Sequence, residues 1–145
     1  MPAKSEQLIG SWRLQKWIIT DETGAVKEPM GPKPWGLLIY AADGYMSAML
    51  AMPEARGRFA GNDPLGGSPE EAHRAMASCH AYVGRWRIDG ERVVHDVEMA
   101  LWPNMVGTSQ VRYYRLDGHR IVLKTPPMTR KGASGVAELT WTRVT

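Results

Sequence analysis

Gly10-Ser11-Trp12-Arg13-Leu14 opens the first strand-like run of this chain, and Glu138 to Val144, with Arg143 near its end, forms the last. A glycine, one residue and a tryptophan on a first strand, with an arginine on the final one, is how a small antiparallel barrel seals itself. The indole covers one end of the floor and the guanidinium stacks on it from the neighbouring strand. The pairing predicts that the first and last strands are neighbours, so the sheet closes around a cavity. Function is then set by what the cavity holds.

Turn signals recur between these runs. Asp21-Glu22-Thr23-Gly24 is a turn, Asp43-Gly44 joins 37–41 to 45–51, Asp89-Gly90 joins 82–88 to 92–101, Asp117-Gly118 joins 109–116 to 120–125, and Lys131-Gly132 precedes the final run. Asp-Gly between alternating segments is a strong hairpin signal. The expected architecture is all-β: an eight-stranded antiparallel up-and-down barrel filling residues 1–145 as one domain. Closure removes exposed edges, and about eight strands leave room for one small ligand. One interruption, 52–80, carries Ser68-Pro69-Glu70-Glu71, a capping box with proline at the first helical position. Ala72, Ala75, Met76 and Cys79 then recur at helical spacing. A short amphipathic helix is expected between strands 3 and 4, serving as a lid or as a plug for one barrel end. Proline and glycine also break the chain at 29–36 and 101–107, which are candidate rims of a cavity mouth.

The 145 residues carry a net charge of +3 with scattered Lys and Arg, Arg130-Lys131 being the nearest thing to a cluster, so no nucleic-acid partner is expected. One cysteine, Cys79, excludes an intrachain disulfide. The polar start, Met1-Pro2-Ala3-Lys4-Ser5-Glu6-Gln7, has no apolar core of a signal peptide, and no run approaches membrane-spanning length; a cytoplasmic protein without a membrane partner is expected. The four histidines, 73, 80, 95 and 119, show no metal spacing, so neither a metal nor another cofactor is expected. No phosphate-binding glycine motif or nucleophile elbow is present. Nine methionines and six tryptophans supply adaptable and rigid wall material respectively.

Alternation along 93–101 puts Val93, His95, Val97, Met99 and Leu101 on one face, apolar except for the imidazole, so His95 is expected on the cavity wall. It is there either as a satisfied core histidine or as an acid, base or anchor for a ligand. Tyr82 and Trp86 share the inward face of their strand, and Leu38 and Tyr40 share one face of theirs. The periodicity of 109–116 leaves open whether Gln110, Arg112 and Tyr114 or Val111, Tyr113 and Arg115 face inward. With His95, the first set would let Arg112 and Gln110 hold an oxyanion while the imidazole moves a proton.

These residues resemble the small lipocalin-like domain proteins of bacteria and fungi, from about Leu8 to Arg143. The resemblance rests on Leu8-Ile9-Gly10-Ser11-Trp12-Arg13-Leu14, Gly36-Leu37-Leu38-Ile39-Tyr40, Asp43-Gly44-Tyr45-Met46-Ser47, Asp63-Pro64-Leu65 and Tyr82-Val83-Gly84. His95-Asp96-Val97-Glu98, Pro103-Asn104-Met105-Val106-Gly107-Thr108, Gln110-Val111-Arg112 and Lys124-Thr125-Pro126-Pro127-Met128 complete it. It implies a calycin-type barrel, and members look like accessory proteins of catabolic or natural-product pathways, with cyclases and isomerases among barrel relatives. The polar positions it carries over are Tyr45, Ser47, His95, Asn104, Gln110 and Arg112. The chain departs from the usual pattern at Asp96, where a second histidine is frequent, so no paired-histidine mechanism is carried over.

The expected ligand is a small hydrophobic, aromatic or polyketide-like molecule. The expected activity is a cofactor-free isomerase, cyclase or lyase using His95, Arg112 and Gln110, with Tyr40, Tyr45, Ser47, Met49, Tyr82, Trp86, Met99, Trp102, Asn104 and Tyr114 contacting substrate. The alternatives are a non-catalytic carrier and, more remotely, a haem-binding barrel with His95 as axial ligand. A homodimer is left open.

Overall fold

The computed structural model describes residues 4–130 and 133–145. Eight long strands, β1 (Gly10–Asp21), β3 (Trp35–Tyr40), β4 (Tyr45–Ala51), β5 (Cys79–Asp89), β6 (Arg92–Ala100), β7 (Ser109–Asp117), β8 (Arg120–Lys124) and β10 (Ala133–Arg143), pair antiparallel in sequence order, and β1 closes on β10. Two short strands extend one end: β2 (Val26–Lys27) beside β1 and β9 (Met128–Arg130) beside β10. The result is a closed eight-stranded antiparallel barrel. The Asp-Gly turns work as their chemistry requires. Gly44, Gly90 and Gly118 all take positive φ, and the Asp43 carboxylate accepts from the Tyr45 backbone N–H. The Lys131-Gly132 turn lies outside the described residues, as do Met1 to Ala3.

Closure is made by the first and last long strands at Trp12 and Arg143. Trp12 sits opposite Arg143, whose guanidinium carbon lies 4.2 Å from the indole centroid. The same guanidinium donates to the carbonyls of Ile9 and Gln7, and the Trp12 indole N–H donates to the Leu8 carbonyl at 2.9 Å. These contacts clamp the short helix α1 (Lys4–Leu8) under the barrel, where Leu8 and Trp12 are fully buried. One end is therefore plugged, and its polar groups answer one another.

The interruption holds two helices, α2 (Pro53–Arg56) and α3 (Pro69–Ala77). The capping box forms as read: Ser68 Oγ accepts from the Glu71 N–H, and Glu71 Oε1 accepts from the Ser68 N–H. Its length differs from the expected stripe. Ser78 caps the helix, its N–H and hydroxyl both donating to the Arg74 carbonyl, and Cys79 and His80 begin β5, paired with Ala51 and Leu50. Cys79 is thus a strand residue, because pairing with β4 satisfies its backbone better than another helical turn would.

Two bulges break the inward–outward alternation. In β1 the register slips between Leu14 and Lys16, so Trp12, Leu14, Trp17 and Ile19 turn inward although their numbers change parity. In β6, Val97 pairs with Gly84 and Met99 with Val83, leaving Glu98 as the extra residue. The strands crowd so closely there that a Cβ on Gly84 would lie 2.0 Å from the Asp96 carbonyl oxygen. Beyond that bulge the faces invert, and Met99 and Leu101 point outward, 62% and 43% exposed.

Candidate functional site

Above the plugged end the barrel interior is an open cavity of about 980 Å³. Its walls are mostly apolar, with Ile19, Leu38, Leu50, Met105, Leu123 and Leu139 among them, and Met76 of α3 and Trp102 stand at the mouth. A smaller depression of about 200 Å³ on the outer face of β7, β8 and β10 is lined by charges of both signs, such as Arg115, Asp117, Arg120 and Glu138, with no buried polar group. Of the two, the interior cavity joins apolar walls to convergent polar groups, the combination a small-molecule site needs.

The polar cluster is built on β3, β5, β6 and β7. His95 lines the cavity from β6 yet is only 1% exposed. Tyr40 Oη lies 2.7 Å from its Nε2, and Tyr82 Oη lies 2.7 Å from its Nδ1. The two hydroxyls thus engage both ring nitrogens. Burial first, and then the positive charge of Arg112, push the imidazole pKa down to about 3, so His95 is neutral at ordinary pH. Burial also raises both tyrosine hydroxyls, keeping them protonated. Tyr40 is held on the plugged side, its ring 4.7 Å from that of Trp86, whose indole N–H donates to the Ala41 carbonyl. Tyr82 reaches the cavity wall; Tyr40 and Trp86 do not.

The register resolves the strand that periodicity left open. Gln110 sits opposite His95 and Arg112 opposite Val93, and both side chains line the cavity. Gln110 Nε2 donates to Thr108 Oγ1, and Arg112 Nη1 donates to the Val111 carbonyl. Among the described residues Arg112 has no carboxylate partner. It is a half-buried cation facing an apolar space.

Several expected contact residues lie elsewhere. Tyr45, Ser47 and Met49 are on the outer face of β4, since Met46, Ala48 and Leu50 are the buried set. The Tyr45 ring stacks under Arg85, which donates to its hydroxyl. Met99 is outside because of the Glu98 bulge. Asn104 is exposed in the 3-10 turn Pro103–Met105, whose inward residue is Met105. Tyr114 packs against the core without reaching the cavity. Asp96 faces outward, its carboxylate accepting from Ser109 and Arg87.

Among the wall residues that escaped the sequence reading are two tryptophans. Trp17 and Trp141 line the cavity, and the indole N–H of each is buried without a hydrogen-bond partner. Alternation back from Arg143 through Trp141 to Leu139 would have found the second. The β1 bulge hid the first.

A closed barrel sealed at one end, with a polar cluster inside its open half, marks a class of cavity-bearing proteins. The chain belongs to the lipocalin-like domain family, whose family model matches residues 9–144. It is 32% identical over 108 residues to a protein of Aspergillus oryzae named as a 4'-hydroxy-3'-methoxypropiophenone carrier protein, spanning 68% of this chain and 96% of that relative. Among solved structures it is similar to a lipocalin-like protein from Bacteroides uniformis, with TM-score 0.48 and 10% identity, covering 94% of this chain and 98% of that one. An uncharacterized protein from Bacteroides eggerthii gives TM-score 0.45 and 10% identity, covering 94% and 99%.

Proposed function

We propose that the barrel reversibly holds one small, largely apolar aromatic molecule and releases it unchanged. The observation that carries this reading is the engagement of both His95 nitrogens by Tyr40 and Tyr82. A general acid or base must reach the proton it moves and titrate near the working pH. With a pKa near 3 and both nitrogens occupied, His95 fits neither condition, and it offers no lone pair to a haem iron. The proton-moving role expected for an isomerase, cyclase or lyase therefore loses its central residue. A binding role keeps all of them: the imidazole and its tyrosines fix a polar point on an apolar wall, and Arg112 sets the sign of charge tolerated beside it. The carrier named among the relatives supports the same reading.

The test uses that relative's named compound. Titration with 4'-hydroxy-3'-methoxypropiophenone should quench the emission of Trp17 and Trp141 and saturate at one ligand per chain. Denaturation and chromatography should return the compound intact. Loss of many equivalents per chain would overturn carriage in favour of catalysis. Absence of quenching by this and other aromatic compounds of similar size would remove the binding reading.

A further inference from the structure

Resting on the reading of the cavity as a ligand site, we infer that His95 carries its proton on Nδ1 and that Tyr82 therefore turns its own O–H into the cavity, as the donor for a carbonyl-type oxygen of the ligand. A neutral imidazole has one N–H and one lone pair, so it can donate to only one of its two tyrosines and must accept from the other. Tyr40 is fully buried, off the cavity wall, and among the described residues its hydroxyl hydrogen-bonds only to His95. If Nε2 carried the proton, Tyr40 would accept it, and its own O–H would be left buried without an acceptor, the costlier arrangement. Tyr40 therefore donates to Nε2. The proton sits on Nδ1 and is donated to Tyr82 Oη, and the Tyr82 hydrogen is free on the one side that opens to the cavity. Successive hydrogen bonds polarise one another, so the terminal hydroxyl is a stronger donor than an isolated tyrosine.

The neighbouring charge has the same sense. Arg112 lines the same cavity from β7, offers donors only, and among the described residues has no carboxylate partner. The chemistry that matches is a flat aromatic molecule bearing a carbonyl-type oxygen placed at Tyr82.

Two arms test this. In ligand-free protein with ¹⁵N-labelled histidine, two-bond ¹H–¹⁵N correlation spectra distinguish the tautomers. The Nδ1–H pattern is expected for His95, and an Nε2–H pattern overturns the inference while leaving carriage untouched. The second arm compares acetonaphthone with ethylnaphthalene, which share a skeleton and differ in the ketone oxygen. The wild type should prefer the ketone by about ten-fold, the size of one net hydrogen bond, and Tyr82→Phe should erase the preference. Equal affinity of the wild type for the two, or a preference that survives in Tyr82→Phe, overturns the donor role. If neither compound binds, the ligand-site reading falls and takes the donor role with it, and the spectra still decide the tautomer.

Discussion

At the plugged end of the barrel the clamp residues are answered by the chain itself. Arg143 spans two carbonyls and an indole face, and Trp12 reaches the Leu8 carbonyl. Farther along the wall the buried indole N–H groups of Trp17 and Trp141 have no partner, and Arg112 lines the cavity with one bond to the Val111 carbonyl and, among the described residues, no carboxylate. Burying an unanswered donor costs stability. The floor is therefore held more firmly than the wall above it, and His95 sits on the boundary between them.

Breaking the plugged end should have the largest effect. Trp12→Ala removes a fully buried indole and the platform for Arg143, and should cost about 3–5 kcal/mol, read as a fall in the urea midpoint. A comparable loss of stability on replacing Trp102 at the mouth would abolish the distinction between the ends.

The boundary residue gives the next effect, through pH. The unfolded imidazole takes its proton near pH 6.5 and the folded one only near pH 3, so between those values the unfolded chain binds more protons. The stabilisation is complete above the upper value and is lost as pH falls toward the lower one. From pH 7.5 to 5, ahead of most carboxylates, the wild type should lose about 2 kcal/mol more than His95→Gln does. Parallel pH profiles for the two proteins in urea titrations would show that His95 is not held neutral by the fold.

Smaller changes sharpen the contrast at the mouth. Ser68→Ala removes the side-chain arm of the α3 capping box, leaving the backbone N–H of residue 68 to donate to Glu71, and should cost about 1 kcal/mol, accompanied by faster amide exchange in 68–77. Arg112→Gln should shift the unfolding midpoint least, by less than about 0.5 kcal/mol, because it surrenders no ion pair among the described residues. Its effect should appear instead in calorimetry as a several-fold weaker affinity for ligands carrying a negative or partly negative oxygen.

The sequence made the closure and the hairpins legible because each rests on short-range chemistry. Asp-Gly turns demand positive φ, Ser68 and Glu71 cap each other over three residues, and Trp12 with Arg143 pairs a cation with an indole. The interior polar set was partly legible. His95 stood out as one imidazole in an apolar alternation, while Gln110 and Arg112 needed the β6–β7 register to reveal their direction. What misled was parity. Alternation assumes an unbroken ladder, and the extra residues at Gln15 and Glu98 invert it, hiding Trp17 and turning Met99 outward. The Tyr40–His95–Tyr82 contact joins three strands across the interior, a distance no local pattern spans.

The bulge at Glu98 also makes β6 tolerant of a change in length. Val97 already faces Gly84, Met99 faces Val83 and Ala100 faces Tyr82, with Glu98 standing outside that ladder. Losing its single codon would leave each of those pairs in place, with Met99 still outward and Ala100 still inward, and would remove only the local kink. Relatives can therefore differ by one residue here and keep the same imidazole beneath the same mouth.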